Sequence, residues 1–396
     1  MAIRRLRVVL WKVLRQLPES VLRRLLGWGD SGAATEIPTF PAVPLRPTRL
    51  LIAPHNAAAQ GWYWARAAET RPDTAALSMY VDREDPFLTP SDVTVPESVY
   101  LWSRPWQRRA QRFVGTTFTH VIIESGWRLF GNGLSGRTID EVRWLQRRGI
   151  AVALLFHGSD IRDPDRHAAA HVQSPFAAGA WEGIDGLRQV VLENRALIAE
   201  AGLPVFISTP DLFNDLPDAT WLPVAIDPLL WQSPPPFGHD GPLRVVHAPS
   251  SSVLKGTDLV EPMLNRLNDE HVIHYVRASN IPFKQIPEIF RTADVVLDQF
   301  RLGIYGVAAC EAMAAGRLLI SDVTPAVRQR VEADVGLELP IVQASAAEVE
   351  GLLRSIAANP LPWVETAALG VGFVTTVHDG RVAAERMAAF LSARAR

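Results

Sequence analysis

Strand and helix signals alternate twice along this chain, and a proline-rich break at 227–242 separates the two series. The first series opens on Leu50-Leu51-Ile52-Ala53. It continues with strand-like runs at 75–81, 120–124, 150–156 and 205–208, separated by helical patterns at 60–70, 138–148 and 185–202. The second opens on Leu243-Arg244-Val245-Val246-His247. Helix 257–269, strand 271–277, helix 284–292, strand 295–298, helix 306–315 and strand 317–321 follow. Short apolar strands with a helix between each pair require crossover connections, so each series predicts a parallel sheet covered by helices. Two such sheets leave a cleft between them. Ligands of open parallel sheets bind beyond the carboxyl ends of the strands.

The full organisation follows from these breaks. A basic helical segment (1–30) leads into a proline-rich linker (31–48) and a first Rossmann-like α/β domain (49–226). The hinge (227–242) carries Pro234, Pro235 and Pro236 beside Gly238 and Gly241. A second Rossmann-like domain (243–378) precedes a last helix (379–396), expected to pack back on the first domain. A chain of 396 residues, 48% of them hydrophobic, is long enough and apolar enough for two cores. A formal charge of -2 gives no sign of a protein that coats nucleic acid. The single cysteine, Cys310, rules out an intrachain disulfide and a cysteine-based metal site. A reducing, cytoplasmic setting fits that usage.

No apolar run reaches the roughly 20 residues that cross a bilayer. Residues 1–17 nevertheless carry Arg4, Arg5, Arg7, Lys12 and Arg15 and no acid. On a helix, Leu6, Val9, Leu10, Val13, Leu14 and Leu17 share one face while Arg4, Arg5, Lys12 and Arg15 share the other. Such a segment either lies on an anionic membrane surface or packs on the protein's own body. Peripheral attachment to the inner face of a membrane is one expectation it raises.

The chemistry concentrates in 245–321. After strand 243–247 comes Ala248-Pro249-Ser250-Ser251-Ser252-Val253-Leu254-Lys255-Gly256-Thr257, a hydroxyl-rich loop with one lysine before a helix. Loop N–H groups and a helix start can cradle a phosphate there, with Lys255 as a point charge. The alternative is an ordinary surface loop. Further on, a buried strand ends at Asp298, and Arg301-Leu302-Gly303-Ile304-Tyr305-Gly306 leads into a helix that carries Glu311. Gly303 and Gly306 would let the backbone approach a ligand closely. A carboxylate at Glu311 can accept both hydroxyls of a ribose.

With these residues in view, the segment resembles the donor domain of family 4 retaining glycosyltransferases, which have the GT-B fold. The family hallmark is a Glu followed, after seven residues, by Glu-Ala-Met-Ala-x-Gly. Glu311-Ala312-Met313-Ala314-Ala315-Gly316 is similar to its second part, Gly303-Ile304-Tyr305-Gly306 to its glycine loop, and Lys255-Gly256 to its phosphate-binding lysine. The resemblance implies a hexosyl- or other glycosyltransferase that moves a sugar from a nucleoside-diphosphate sugar to an acceptor hydroxyl with retention. It implies Lys255 and Ser251 at the diphosphate, Glu311 at the ribose, and Asp298, Gly303, Ile304, Tyr305 and Gly306 around the sugar. It implies no metal and no cofactor besides the donor. The acceptor is left open between a lipid-linked molecule and a saccharide. Two positions depart from the family. Gly303 stands where its first Glu belongs, and Ser250 where it has an Arg. These departures favour an alternative, a non-catalytic GT-B protein that binds a sugar nucleotide or a partner.

In the first domain, His157 and Asp160 follow strand 150–156 and are candidates for the reaction centre. Asp160 also suits a turn cap. Asn56, Gln60 and Gly61 follow the first strand and are candidates for an acceptor or phosphate loop. Glu124, at another strand end, is a further one. Two patterns are set aside. Gly131-Asn132-Gly133-Leu134-Ser135-Gly136 fits the dinucleotide glycine pattern but starts six residues after its strand. Asp163-Pro164-Asp165 reads as a polar turn rather than a metal motif.

Overall fold

The computed structural model describes residues 37–84, 87, 89–177 and 183–393. The basic segment 1–30 lies outside the described residues, and with it the amphipathic helix expected over 1–17. The first series of elements runs β1 (Thr48–Ala53), α1 (Gln60–Glu69), β2 (Thr74–Asp82), β3 (Val93–Pro96), α2 (Glu97–Trp102), α3 (Arg104–Thr117), β4 (His120–Glu124), α4 (Thr138–Gln146), β5 (Ala151–Phe156), α5 (Pro164–Ala170), α6 (Ile184–Ala201), β6 (Val205–Ile207) and β7 (Thr220–Trp221). The second runs β8 (Leu243–His247), α7 (Ser252–Lys255), α8 (Thr257–Asp269), β9 (Ile273–Arg277), α9 (Ile286–Arg291), β10 (Val295–Leu297), α10 (Val307–Ala314), β11 (Leu318–Ser321), α11 (Pro325–Val335), β12 (Val342–Gln343), α12 (Val349–Ala358), α13 (Trp363–Val377) and α14 (Arg381–Ser392).

The strands form two sheets, both wholly parallel. One has seven strands in the order β3-β2-β1-β4-β5-β6-β7, the other five in the order β12-β11-β10-β8-β9. Each order reverses direction once, between β1 and β4 in the first sheet and between β8 and β10 in the second. At such a reversal the flanking crossovers leave to opposite faces and a crevice opens at the strand ends. The interior strands are covered on both sides. His120–Glu124 and Leu243–His247 are buried throughout except for Arg244, and their central residues are apolar on both faces.

Several elements differ from their sequence patterns for local reasons. The strand expected at 271–277 starts at Ile273, because His271 takes a left-handed turn (φ 58°) after α8. The helix expected at 284–292 divides into a 3-10 turn, Phe283–Gln285, and α9. Helices α2 and α3 have no counterpart in the sequence reading. Pro105 occupies the first turn of α3, where a missing N–H costs nothing.

The chain crosses between the two sheets a second time after α13. Helix α14 packs on α1 and β1 of the first sheet. Met387, Phe390 and Leu391 share an apolar core with Leu50, Ile52, Trp64 and Phe206. Polar contacts fix this return. The Ile226 N–H donates to the His378 carbonyl at 2.8 Å. Nδ1 of His378 donates to the Val224 carbonyl at 2.7 Å, and its Nε2 accepts from the Tyr305 hydroxyl at 3.3 Å. Burial lowers the His378 pKa to about 4, so the ring stays neutral and keeps both bonds at ordinary pH. Among the described residues no helix is long and apolar enough to cross a membrane.

Met387 is fully buried at this junction. Met387→Ala should cost about 2–5 kcal/mol of stability through lost packing and a residual cavity. The readout is the urea midpoint together with hydrogen exchange. Protection should fall in β1 and α1 and stay unchanged in β8 and β10.

Candidate functional site

The two strand-order reversals face each other, and a cavity of about 440 Å³ lies between them. The first sheet contributes the loop after β1, with His55, Asn56, Ala57 and Ala58. The second contributes Ser250 and Lys255 from the β8 side, and Val307, Ala308 and Glu311 from α10. Positions 307 and 311 are one turn apart on the same helix face. The N-terminus of α10, with its unpaired N–H groups, therefore opens onto the cavity beside the Glu311 carboxyl.

The loop after β1 is built with strain. Asn56, Ala58 and Ala59 all have left-handed backbones, at φ 52°, 47° and 63°. Each costs on the order of 1 kcal/mol for a residue with a Cβ. What holds the loop is Glu124, fully buried at the end of β4. Its Oε2 accepts the His55 and Asn56 N–H groups at 3.1 and 2.9 Å, and its Oε1 accepts Nε2–H of His157 at 3.1 Å. Burial alone would raise the Glu124 pKa. The bond and charge of His157, then His55 and the Asn56 N–H, outweigh it and hold the group below its ordinary value. Glu124 is thus an ionised structural anchor. His55 carries the opposite shift, lowered by burial and then by the neighbouring His157. Neutral His55 faces the cavity with its ring against the edge of Trp127, 4.7 Å between centroids.

The first-domain candidates divide accordingly. His157 stacks on Trp64 and is bound to Glu124, behind His55 rather than on the cavity wall. Asp160 is turned inward, where it accepts from the His157 and Gly158 N–H groups and from the Ser125 hydroxyl. It is a turn anchor, which corrects its expected place at the reaction centre. Gln60 is corrected likewise. Its amide is buried and committed, accepting from Ala225 N–H at 2.7 Å and donating to the Ala225 carbonyl at 3.0 Å. It fastens α1 to the chain before the hinge. Asn56 lines the cavity, but its amide joins Trp62 N–H to the Pro90 carbonyl. A Cβ on Gly61 would stand 3.2 Å from Asn56 Oδ1, so Gly61 provides room for that anchor.

In the second domain, Lys255 ends the four-residue α7, where the Ser251 hydroxyl accepts the Leu254 N–H. The cap is how Ser251 is used; Ser250 is the serine on the cavity wall. Lys255 Nζ pairs with buried Asp298, whose second oxygen, Oδ2, has no partner among the described residues. Arg301 is held by Asp258 at 2.6 Å. The Glu311 carboxyl accepts no hydrogen bond from a described residue. Burial pushes its carboxyl up to about 8, against the pull of Lys255 and helped by Asp298.

The glycine loop does not reach the cavity. Gly303 has φ 67°, and a Cβ there would stand 2.6 Å from Thr324 and 3.0 Å from the His171 ring of the first domain. Gly303 is thus a point of close domain contact. Next to it the Leu302 carbonyl accepts Nε2–H of His167 at 3.2 Å. Gln299 ties the loop by donating to the Ile304 carbonyl and accepting from the Leu302 N–H. The Tyr305 side chain is buried against His378. The placements of Gly303 and Tyr305 therefore differ from the expected sugar-binding role, while Gly306 lies at the start of α10, whose first turn lines the cavity. The sequence reading also missed the apolar wall opposite Lys255, made of Ala278, Ile281, Phe283, Ile286 and Phe290. Its only sequence signal is the run of apolar residues after β9.

No protein-family model matches the chain, and no curated protein matches it. Solved structures do. Sucrose-phosphate synthase from Thermosynechococcus elongatus aligns with a TM-score of 0.56 over 87% of this chain and 98% of that one, at 13% identity. Anabaena HepE in complex with UDP and glucose aligns at 0.53 over 87% and 99%, at 12% identity. Its complex with UDP-glucose gives 0.53 at 11% identity over the same shares. At such identities the likeness is one of fold. The two facing parallel sheets are the GT-B architecture.

The raised Glu311 pKa sets a pH signature. Its folded value, about 8, lies above the ordinary 4.5, so the folded chain holds a proton the unfolded chain has released. The stability this proton contributes is complete below pH 4.5 and lost as pH rises through 8. Glu311→Gln removes that loss. Urea midpoints measured at pH 5 and pH 9 should therefore shift in favour of the variant at the higher pH. An equal difference at both pH values contradicts the assignment.

Proposed function

We propose that this protein is a glycosyltransferase that moves a sugar from a nucleoside-diphosphate sugar to an acceptor hydroxyl, with retention at the anomeric carbon. The observation that carries the reading is the meeting of Lys255, the α10 N-terminus and Glu311 in one interdomain cavity. Lys255 and the helix N–H groups suit a diphosphate, one helical turn from a carboxyl that suits ribose hydroxyls. The apolar wall of Ile281, Phe283 and Phe290 gives a flat base a dry surface. HepE, of the same fold, was solved with UDP and with UDP-glucose, which supports this ligand class.

In this reading the bond from the anomeric carbon to the diphosphate breaks as the acceptor oxygen attacks the same face. The leaving diphosphate gains charge, and Lys255 with the α10 N–H groups stabilises it. The acceptor proton passes to the departing phosphate oxygen, so no protein carboxylate need act as a nucleophile. Lys255 must first leave Asp298, and donor binding exchanges one anionic partner for another. His55, neutral and on the opposite wall, is placed to hydrogen-bond the sugar or the incoming hydroxyl. A lipid-linked molecule and a saccharide remain the two acceptor classes.

A second reading, binding without turnover, draws on Gly303. The family places a carboxylate there, and here the backbone conformation and Thr324 leave no room for a side chain. The two readings part in one experiment. Common nucleoside-diphosphate sugars are screened by calorimetry, and any that bind are then incubated with acceptors while nucleoside diphosphate release is followed. Lys255→Ala and Glu311→Ala should each weaken donor binding at least tenfold, the usual scale for a charge-assisted contact. Unchanged affinity in both removes this site. Binding without release, for every donor and acceptor, leaves the non-catalytic reading.

A further inference from the structure

We infer that the outer face of α3 docks on an anionic lipid surface. Helix α3 has 14 residues, about 21 Å, with Trp106, Gln107, Ala110 and Val114 buried. Arg104, Arg108, Arg109 and Arg112 are all exposed, and at 100° per residue they fall within one 140° arc opposite that buried side. The helix contains no acid. None of the four arginines forms an ion pair with a described residue. Many exposed arginines on other faces are paired, among them Arg137 and Arg143 with Glu200, Arg188 with Asp165 and Asp185, and Arg354 with Glu270 and Glu350. Arg104 also lies in the first helical turn, where the backbone dipole disfavours a cation and no carboxylate offsets it. Nothing within the described fold rewards this arrangement, so its complement lies outside.

The face continues beyond α3. A Cβ on Gly115 would stand 2.8 Å from Trp144, so α4 packs closely there. Arg148 lies over the Trp144 ring at 3.7 Å, and Arg147 beside it is exposed. At the C-terminal end of α3, Arg49 donates to the Thr117 carbonyl. This brings alongside the stretch that holds Arg46 and Leu45, an apolar side chain 94% exposed. Phe40 stacks on Phe113 of α3, 4.4 Å between centroids. The described chain therefore enters the fold along this helix. A flat row of guanidinium groups with an apolar side chain at its end fits lipid phosphates above acyl chains. The inference does not depend on the glycosyltransferase reading, and its test uses no donor.

The test is co-sedimentation of the full chain with vesicles of phosphatidylcholine, alone or with roughly one-third phosphatidylglycerol, at low and at raised salt. The wild type should bind only the anionic vesicles, and less at high salt. Replacing Arg104, Arg108, Arg109 and Arg112 with Gln keeps helix propensity and removes four charges. It should lower the partition coefficient at least tenfold, since each surface cation contributes about fivefold. The pairs Arg104→Gln with Arg108→Gln and Arg109→Gln with Arg112→Gln should each give a partial loss. They keep the test intact if the fourfold variant misfolds. A control with Arg137, Arg188, Arg266 and Arg354 replaced by Gln carries the same charge change on other faces and should bind like the wild type. The inference is overturned if the α3 variants bind as well as the wild type, or if the control weakens as much. It is also overturned if double-stranded RNA binds as tightly as the anionic vesicles and is lost in the same variants.

Discussion

An ionised carboxylate taken out of water persists only where donors replace its hydration, and the cleft of this protein is arranged around one. Glu124 has no exposed surface and receives two backbone N–H groups and one imidazole N–H. Those donors are what force the chain after β1 into its left-handed path and set the orientation of His157. His55 reaches the cavity because Glu124 holds the backbone beneath it. The facing wall shows the converse. Glu311 is buried to a similar degree but lacks protein donors, so it is driven toward its neutral form. Two glutamates at facing strand-order reversals thus differ in character because one has its partners supplied and the other does not.

The architecture was legible in the sequence because parallel strands covered on both faces must be apolar on both sides. Ala151–Phe156 and Val295–Leu297 appear as unbroken apolar runs for that reason. The meeting of Lys255 with Glu311 was legible too, since each follows a strand next to the same reversal. What could not be read is which way a polar side chain turns once it reaches a strand end. Gln60 looks available until Ala225, 165 residues away, takes its amide. Tyr305 looks like part of a ligand loop until His378, 73 residues on, takes its hydroxyl. Asp160 is decided locally, but by backbone N–H directions that a residue list does not contain. Helix α3 escaped notice because its periodicity is carried by arginines on the outside and by few apolar residues within.

The cavity is close to charge balance. Lys255 is matched by Asp298, Arg301 by Asp258, and Glu311 and His55 are both pushed toward neutrality. A phosphate ligand therefore meets a cation already satisfied, and its affinity reflects an exchange of partners rather than capture by a free charge. Selectivity against small anions follows: a ligand must contribute contacts beyond its phosphates, at the apolar wall and at Glu311, to displace the pair.

The return of α14 to the first sheet also has a meaning in time. A ribosome releases β1 and α1 long before Met387, Phe390 and Leu391 exist, so for most of translation the apolar core around α1 lacks its outer layer. The second sheet, by contrast, contains all its strands and most of its helices before α14 is made. Vectorial synthesis therefore reverses the usual order, in which the N-terminal unit is completed first. The nascent first sheet must hold its bare surface in a soluble state until the last helix emerges to close it.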